Sequence, residues 1–292
     1  MYDDDPGFFT CRLAILGLGL MGGSLAMALH GKCAALLGID PDPQTVELAR
    51  QQHIVDLAAV EPANLLPQAD VIILAAPVNA IINLLQELPR LHHGSPIVID
   101  LGSTKVKIMQ TMQLLPERFD PLGGHPMCGK EVSGLANADA RLFQGASFAF
   151  TASPRTTPHA RRFAEWLAAS IGACPLWIDA DVHDRWVSAT SHLPYLVANA
   201  LAYVTPLETA PLAGPGFLST TRLAVSPPDL MMDVLMTNQS AILDRLHIFR
   251  EHLEWIERLL AQGEFDEIEN LLWEGARRKQ TLSQSIQLGK VL

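Results

Sequence analysis

The chain has 292 residues, of which 49% are hydrophobic and 18% charged, and its formal charge is −10. That is enough apolar material for one large domain or two ordinary ones, and it excludes an intrinsically disordered chain. The acidic balance argues against nucleic acid as a partner, since phosphate binding needs a basic face, and it obliges any anionic substrate to meet a local cluster of cations.

The opening "MYDDDPGFFT" is acidic and has no positively charged n-region, so no secretory signal is expected there. The apolar run at 13–29 is interrupted by Gly17, Gly19, Gly22 and Gly23 and reads as strand, turn and helix, not as a membrane span. Cys11, Cys33, Cys128 and Cys174 are far apart and form no C-x-x-C pair, which suggests neither a disulfide framework nor a metal site. A reduced, cytoplasmic setting without a membrane partner is expected.

Short apolar runs then alternate with helical spacing. "RLAIL" (12–16), "ALLGID" (35–40), "VIILAAP" (71–77) and "PIVIDLG" (96–102) read as buried parallel strands, apolar on both faces. Helical spacing fills 22–30, 43–53, 78–88 and 105–115 between and after them. Shorter strands are expected near 119–122, 147–151 and 175–178, with a helix at 158–171 separating the last two. This alternation predicts an α/β fold with a doubly wound, Rossmann-like sheet. After Asp179 the strands stop. Helices are expected over 181–204, 228–246, 248–261 and 265–285, with an irregular Pro- and Gly-rich connection at 205–229. We therefore place a domain boundary near residue 179, with a Rossmann-like domain over 1–179 and an all-α domain over 180–292. The helical part is more apolar than a core of its size needs, so it is expected to meet a second subunit.

The fingerprint "GLGLMG" (17–22) follows a predicted strand and opens a predicted helix, the context that G-x-G-x-x-G requires. Gly17 allows the tight turn, Gly19 lets the backbone approach a pyrophosphate, and Gly22 lets helix and strand pack closely. Leu20 and Met21 complete the loop, whose free N–H groups face the phosphates. Asp40, 18 residues past Gly22, would bond the adenosine ribose and repel a 2′-phosphate, favouring NAD over NADP. Ala76 and Pro77, at the end of a later strand, would flank the same cleft.

Reactive groups gather in three patches. "DLGSTKVK" (100–107) offers Ser103 and Lys105; "GGHPMCGKE" (123–131) offers His125, Lys130 and Glu131; "SHLPY" (191–195) and "STTRLA" (219–224) offer His192 and Arg222. Ligands bind at the carboxyl ends of strands in open α/β sheets, which places Ser103 and His125 at the nicotinamide and His192 and Arg222 above it. A histidine there can accept the proton of a hydroxyl whose carbon loses hydride. Ser103 can hold that hydroxyl or cap the following helix, and Arg222 can clamp a carboxylate.

At these residues the chain resembles the prephenate/arogenate dehydrogenase family of tyrosine biosynthesis. The likeness runs along almost the whole chain: "LGLGLMGGSLAMAL" (16–29), "DLGSTK" (100–105), "GGHPMCGKEVSG" (123–134), "HDRWVSATSHLPYLVANAL" (183–201) and "GFLSTTRLA" (216–224). The resemblance implies NAD(P)-dependent oxidative decarboxylation of prephenate or arogenate, with His125 deprotonating the ring hydroxyl and Ser103 orienting it. It implies that Arg222 and His192 serve the substrate, that Glu131 pairs with Arg222 to gate the site, and that the helical domain forms a homodimer; Lys105, beyond the end of a strand, is a further candidate for binding substrate. Several members carry a second histidine where this chain has Tyr195. Ending at Leu292, the chain is expected to carry neither a regulatory ligand-binding domain nor a fused chorismate mutase. The competing readings are another two-domain Rossmann dehydrogenase acting on a β-hydroxyacid or cyclic imine, and an NAD-binding regulatory module without chemistry.

Overall fold

The computed structural model describes residues 8–288, with side chains to residue 285; the acidic start read as no signal segment lies largely outside them. The apolar runs form the middle of an eight-stranded sheet. Its strands are β1 (Arg12–Leu16), β2 (Ala35–Ile39), β3 (Leu57–Ala59), β4 (Val71–Leu74), β5 (Ile97–Asp100), β6 (Asp120–Pro126), β7 (Ser147–Ala152) and β8 (Cys174–Trp177), in the order β3-β2-β1-β4-β5-β6-β7-β8. All pairings are parallel except β6 with β7. The order reverses between β1 and β4, so the connections that leave their carboxyl ends turn to opposite faces of the sheet and open a crevice there.

Helices cover both faces: α1 (Leu20–Leu29), α2 (Pro43–Gln51), α3 (Val78–Leu91), α4 (Val106–Gln113) and α5 (Pro158–Ile171). One core layer joins Leu13, Ile15 and Phe148 to α1 and α5; the other joins Ala14, Leu16 and Val98 to α3 and α4. Burial on both faces is what removes the alternating pattern from β1, β4 and β5.

The helices that follow are α6 (Ala180–Val187), α7 (Leu193–Val204), α8 (Pro215–Thr220), α9 (Pro228–Thr237), α10 (Gln239–Gln262) and α11 (Phe265–Leu288). A wide π turn, Ser188–His192, joins α6 to α7, where Pro194 has no N–H to donate to the preceding turn. The chain divides into two compact units, Met1–Gln239 and Ser240–Leu292. The division falls this late because α6 packs on α4 and α9 packs on α3.

Three expectations change. The helix expected over 228–246 is broken at Asn238, whose side chain is drawn into a buried polar cluster, and 248–261 simply continues α10. The connection at 205–229 is not wholly irregular: 3-10 turns at Leu207–Leu212 and Arg222–Val225 flank α8, short because Pro and Gly recur. Strand β6 runs on to Pro126, since antiparallel pairing with β7 sets His125 opposite Ala149. His125 therefore stands on a strand and not in the loop after it.

Candidate active site

The glycine loop connects β1 to α1. Gly17 has φ +96°, a conformation costly for other residues, and its N–H donates to the Ile39 carbonyl at 2.8 Å. A Cβ on Gly22 would overlap the Gly17 carbonyl oxygen, whereas one on Gly19 would meet nothing within 4 Å. The loop is thus tight beneath and open above. Gly19 is the N-cap of α1 and no side chain caps that end, so the first-turn amides at Leu20, Met21 and Gly22 are left for an anion. Asp40 accepts from the Leu18 N–H at 2.7 Å and the Asp42 N–H at 2.9 Å. Its carboxylate braces the loop and retains lone pairs for a ribose. Half-buried Ala76 and exposed Pro77 edge the crevice before α3, where Asp233 of α9 accepts from the Asn79 N–H at 3.0 Å and its side-chain amide at 2.6 Å. Open backbone, free helix amides and a carboxylate at the end of β2 form the donor set that a dinucleotide's pyrophosphate and ribose require.

At the ends of β5 and β6 the polar groups are concentrated. His125 is half-buried, and its Nδ1 lies 2.9 Å from His183 Nε2. His183 Nδ1 in turn lies 2.7 Å from Asp184 Oδ1. Removal from water, then the neighbouring His183, Lys105 and His192, hold the His125 pKa well below its ordinary value, so the ring is neutral at physiological pH. Ser103 is also half-buried. It does not cap α4: the Lys105 and Val106 amides donate to Asp184, at 2.7 and 2.9 Å.

Lys105 requires a correction. Expected to meet substrate, it is wholly buried, and its ammonium donates to the Asp100 carboxylate and, at 2.7 Å, to the Gly124 carbonyl. Asp100 also accepts from the Gly102 and Gly124 amides. Burial pushes the Asp100 carboxyl up and the Lys105 ammonium down, and each charge opposes the other's shift. The pair ties β5 to β6 beneath His125 and leaves no cationic face for a ligand.

His192 closes the π turn and is only 2% exposed, so it offers a ligand at most one edge of its ring. Its Nδ1 lies 3.2 Å from the Asn238 amide nitrogen, which also donates to the Asp184 carbonyl at 2.8 Å. Burial, opposed by Asp184, lowers its pKa to about 4. Arg222 and Glu131 form an ion pair, with side chains 59% and 33% exposed. The Arg222–Val225 turn rests on α7, which starts next to His192. Tyr195 is buried within α7. His183 and Asp184 were overlooked as site residues. A polar pair on the same helical face as buried Val187 and Ser188 was the available signal.

Depressed histidine pKa values make stability depend on pH. Unfolded, His192 titrates near 6.5; folded, near 4. Above about pH 6.5 both states are neutral and the contribution is flat. As pH falls from there to 4, the unfolded chain binds a proton that the native chain refuses, and about 3 kcal/mol of stability is lost. Denaturant midpoints should fall over that window, and fall less in His192→Asn; an equal slope in both proteins would contradict the assignment.

Comparison with known proteins settles the family. Residues 25–173 match the model described as prephenate dehydrogenase, nucleotide-binding domain, and residues 179–274 the model described as prephenate dehydrogenase, dimerization domain. The chain belongs to the prephenate dehydrogenase family. It is 33% identical over 274 residues to the prephenate dehydrogenase of Bacillus subtilis (strain 168), covering 89% of this chain and 72% of that protein. The crystal structure of Synechocystis arogenate dehydrogenase matches with a TM-score of 0.79 at 29% identity, covering 92% of this chain and 99% of that one. A. aeolicus prephenate dehydrogenase, solved with hydroxyphenyl propionate and NAD+, superimposes with a TM-score of 0.86 at 24% identity, covering 94% and 98%, and attests the fold. In this prephenate dehydrogenase family member the glycine loop, 17–22, lies just before the segment matched to the nucleotide-binding domain, and the π turn and Arg222 lie in the segment matched to the dimerization domain. Among the described residues no helix is long and apolar enough to cross a membrane, and no cluster of ligands could hold a metal ion.

Proposed function

We propose that the protein oxidatively decarboxylates prephenate, arogenate or both, using NAD, with His125 as the proton acceptor. The observation that carries this reading is the neutral, half-buried imidazole at the carboxyl end of β6, tied through Nδ1 to His183. NAD bound across the glycine loop supplies the hydride acceptor. His125 Nε2 takes the proton of the ring hydroxyl as that carbon becomes a carbonyl. Loss of the ring carboxylate as carbon dioxide returns an electron pair to the same oxygen, and His125 gives the proton back to form the phenol. The proton is borrowed, so none is released overall. Ser103 hydrogen-bonds the hydroxyl and His192 offers a ring edge. Arg222, released from Glu131, binds a substrate carboxylate. These residue roles extend the family assignment to individual side chains.

NAD is preferred over NADP because the Asp40 carboxylate, pinned by the Leu18 and Asp42 amides, cannot turn away from a 2′-phosphate. Replacing Asp40 by Ser together with Pro41→Arg should move preference toward NADP; unchanged coenzyme ratios would reduce Asp40 to a loop brace. Arg222→Ala should raise the substrate KM by roughly 10–100-fold, the worth of one charge-assisted contact, with kcat little altered. A KM within a factor of two of the parent would remove the clamp.

We place the functional boundary near Asp179, with 1–179 holding coenzyme and 180–292 holding substrate and forming a homodimer. The change of family model between 173 and 179 supports the boundary. The dimer is supported by apolar side chains that α10 and α11 leave exposed, including Leu243, Leu253, Leu260, Leu272 and Trp273. A cytoplasmic setting suits cysteines that form no disulfide among the described residues. The test is to offer prephenate and arogenate, each with NAD and NADP, and follow reduced nicotinamide by absorbance. Turnover of either acid supports the reading; coenzyme binding with no turnover of either would leave a regulatory module.

A further inference from the structure

Two histidines of this site sit in hydrogen-bond chains that both run back to one residue, Asp184, and each chain has a fixed direction. The side-chain carboxylate of Asp184 only accepts, so the atom 2.7 Å from it, His183 Nδ1, carries a hydrogen. In a neutral ring the other nitrogen, His183 Nε2, is then an acceptor. The atom 2.9 Å from it, His125 Nδ1, must therefore be the donor. That leaves His125 Nε2 bare. The main-chain carbonyl of Asp184 also only accepts, so the Asn238 side-chain atom 2.8 Å away is its amide nitrogen. The same nitrogen reaches His192 Nδ1 at 3.2 Å, which makes that atom an acceptor and puts the ring hydrogen of His192 on Nε2.

We propose that Asp184 sets opposite tautomers in the two site histidines, a bare Nε2 on His125 through the positioning residue His183 and an N–H at Nε2 of His192 through the positioning residue Asn238. This rests on the reading of His125 as the proton acceptor. Its value lies in the default it overrides: an unconstrained neutral histidine favours the hydrogen on Nε2, which would present the hydroxyl with a donor where the reaction needs a lone pair. The chain also fixes the ring plane, because His183 is buried and stands edge-on to His125 at 63°. When His125 accepts the substrate proton at Nε2, its Nδ1–H stays bonded to His183, and the positive charge faces the Asp184 carboxylate through that ring. Asp184 further caps α4 through the Lys105 and Val106 amides, so the residue that orients the base is anchored to the helix that follows Ser103. Nothing moves along this chain but polarisation. It acts as an orienting device of the kind in which a carboxylate fixes a catalytic imidazole.

Nitrogen-15 spectroscopy of the histidine side chains in the full-length protein reads the tautomers directly, with His125→Asn and His192→Asn identifying the two signals. The expected wild-type result is a hydrogen on Nδ1 of His125 and on Nε2 of His192; a hydrogen on Nε2 of His125 overturns the proposal. Steady-state kinetics supplies the second arm. His183→Phe, checked for folding by circular dichroism, should lose roughly 10²-fold in kcat with substrate and coenzyme KM changed less than about threefold. His183→Gln keeps a side-chain acceptor within reach of His125 Nδ1 and should recover most of that loss. Equal kcat in wild type and His183→Phe, or Gln no better than Phe, overturns the positioning role. If instead His125→Asn keeps full turnover while the tautomers are as assigned, the base assignment fails and the tautomer assignment stands.

Discussion

Replacing His125 by Asn is expected to lower kcat by roughly 10²–10⁴-fold while NAD binding changes little. The loss follows from the position of the ring. Asn retains a hydrogen-bonding group of similar reach to Nδ1 and can still meet His183, yet it has nothing that accepts a proton at the place of Nε2. The glycine loop between β1 and α1 is untouched, because no hydrogen bond described at His125 reaches it. The wild-type acid limb of kcat/KM should lie below the ordinary histidine range, since burial, His183, Lys105 and His192 all favour the neutral ring of the free enzyme. Turnover is then lost as pH falls through that depressed value. The measurement is a pH profile of kcat and kcat/KM for both proteins; a variant with normal turnover removes the base from the mechanism.

The largest expected effect on stability is at Lys105. Lys105→Met should destabilise the protein by about 3–5 kcal/mol, because it leaves the Asp100 carboxylate buried with two amide donors and no countercharge. The cost is that of the orphaned charge, not the net worth of the pair. Asp100→Asn combined with Lys105→Met should therefore recover part of the loss, as buried pairs replaced together often do. Urea midpoints of the single and double variants measure both numbers. If the double variant is less stable than Lys105→Met by a full second increment, the two residues are not acting as one buried pair.

Much of this architecture was legible in the chain itself. β1, β2, β4 and β5 are unbroken apolar runs because helices bury both of their faces, and such runs end visibly at Gly, Pro or Asp. The glycine loop with Asp40 was legible because backbone geometry demands those residue types. What escaped notice depended on pairing in space. β3 has only three residues, fewer than a pattern needs. The extension of β6 to Pro126 is imposed by β7, which turns a histidine that reads as loop into one held on a strand. Lys105 reads as a cation available to an anionic substrate, and only its burial against Asp100 shows otherwise. His183 and Asp184 look like polar residues in the first turns of a helix. Their bonds to His125 and to the start of α4 span 58 and 79 residues, a separation that no local pattern records.

The central claim is that the His125 imidazole shares the crevice of the coenzyme and reaches the reacting hydroxyl. A crystal structure of the protein with NAD and a phenolic product analogue tests it most directly. His125 Nε2 should lie about 2.6–3.2 Å from the phenolic oxygen, with the ring beside the nicotinamide. An imidazole turned away from that oxygen, or separated from it by protein atoms, would contradict the account.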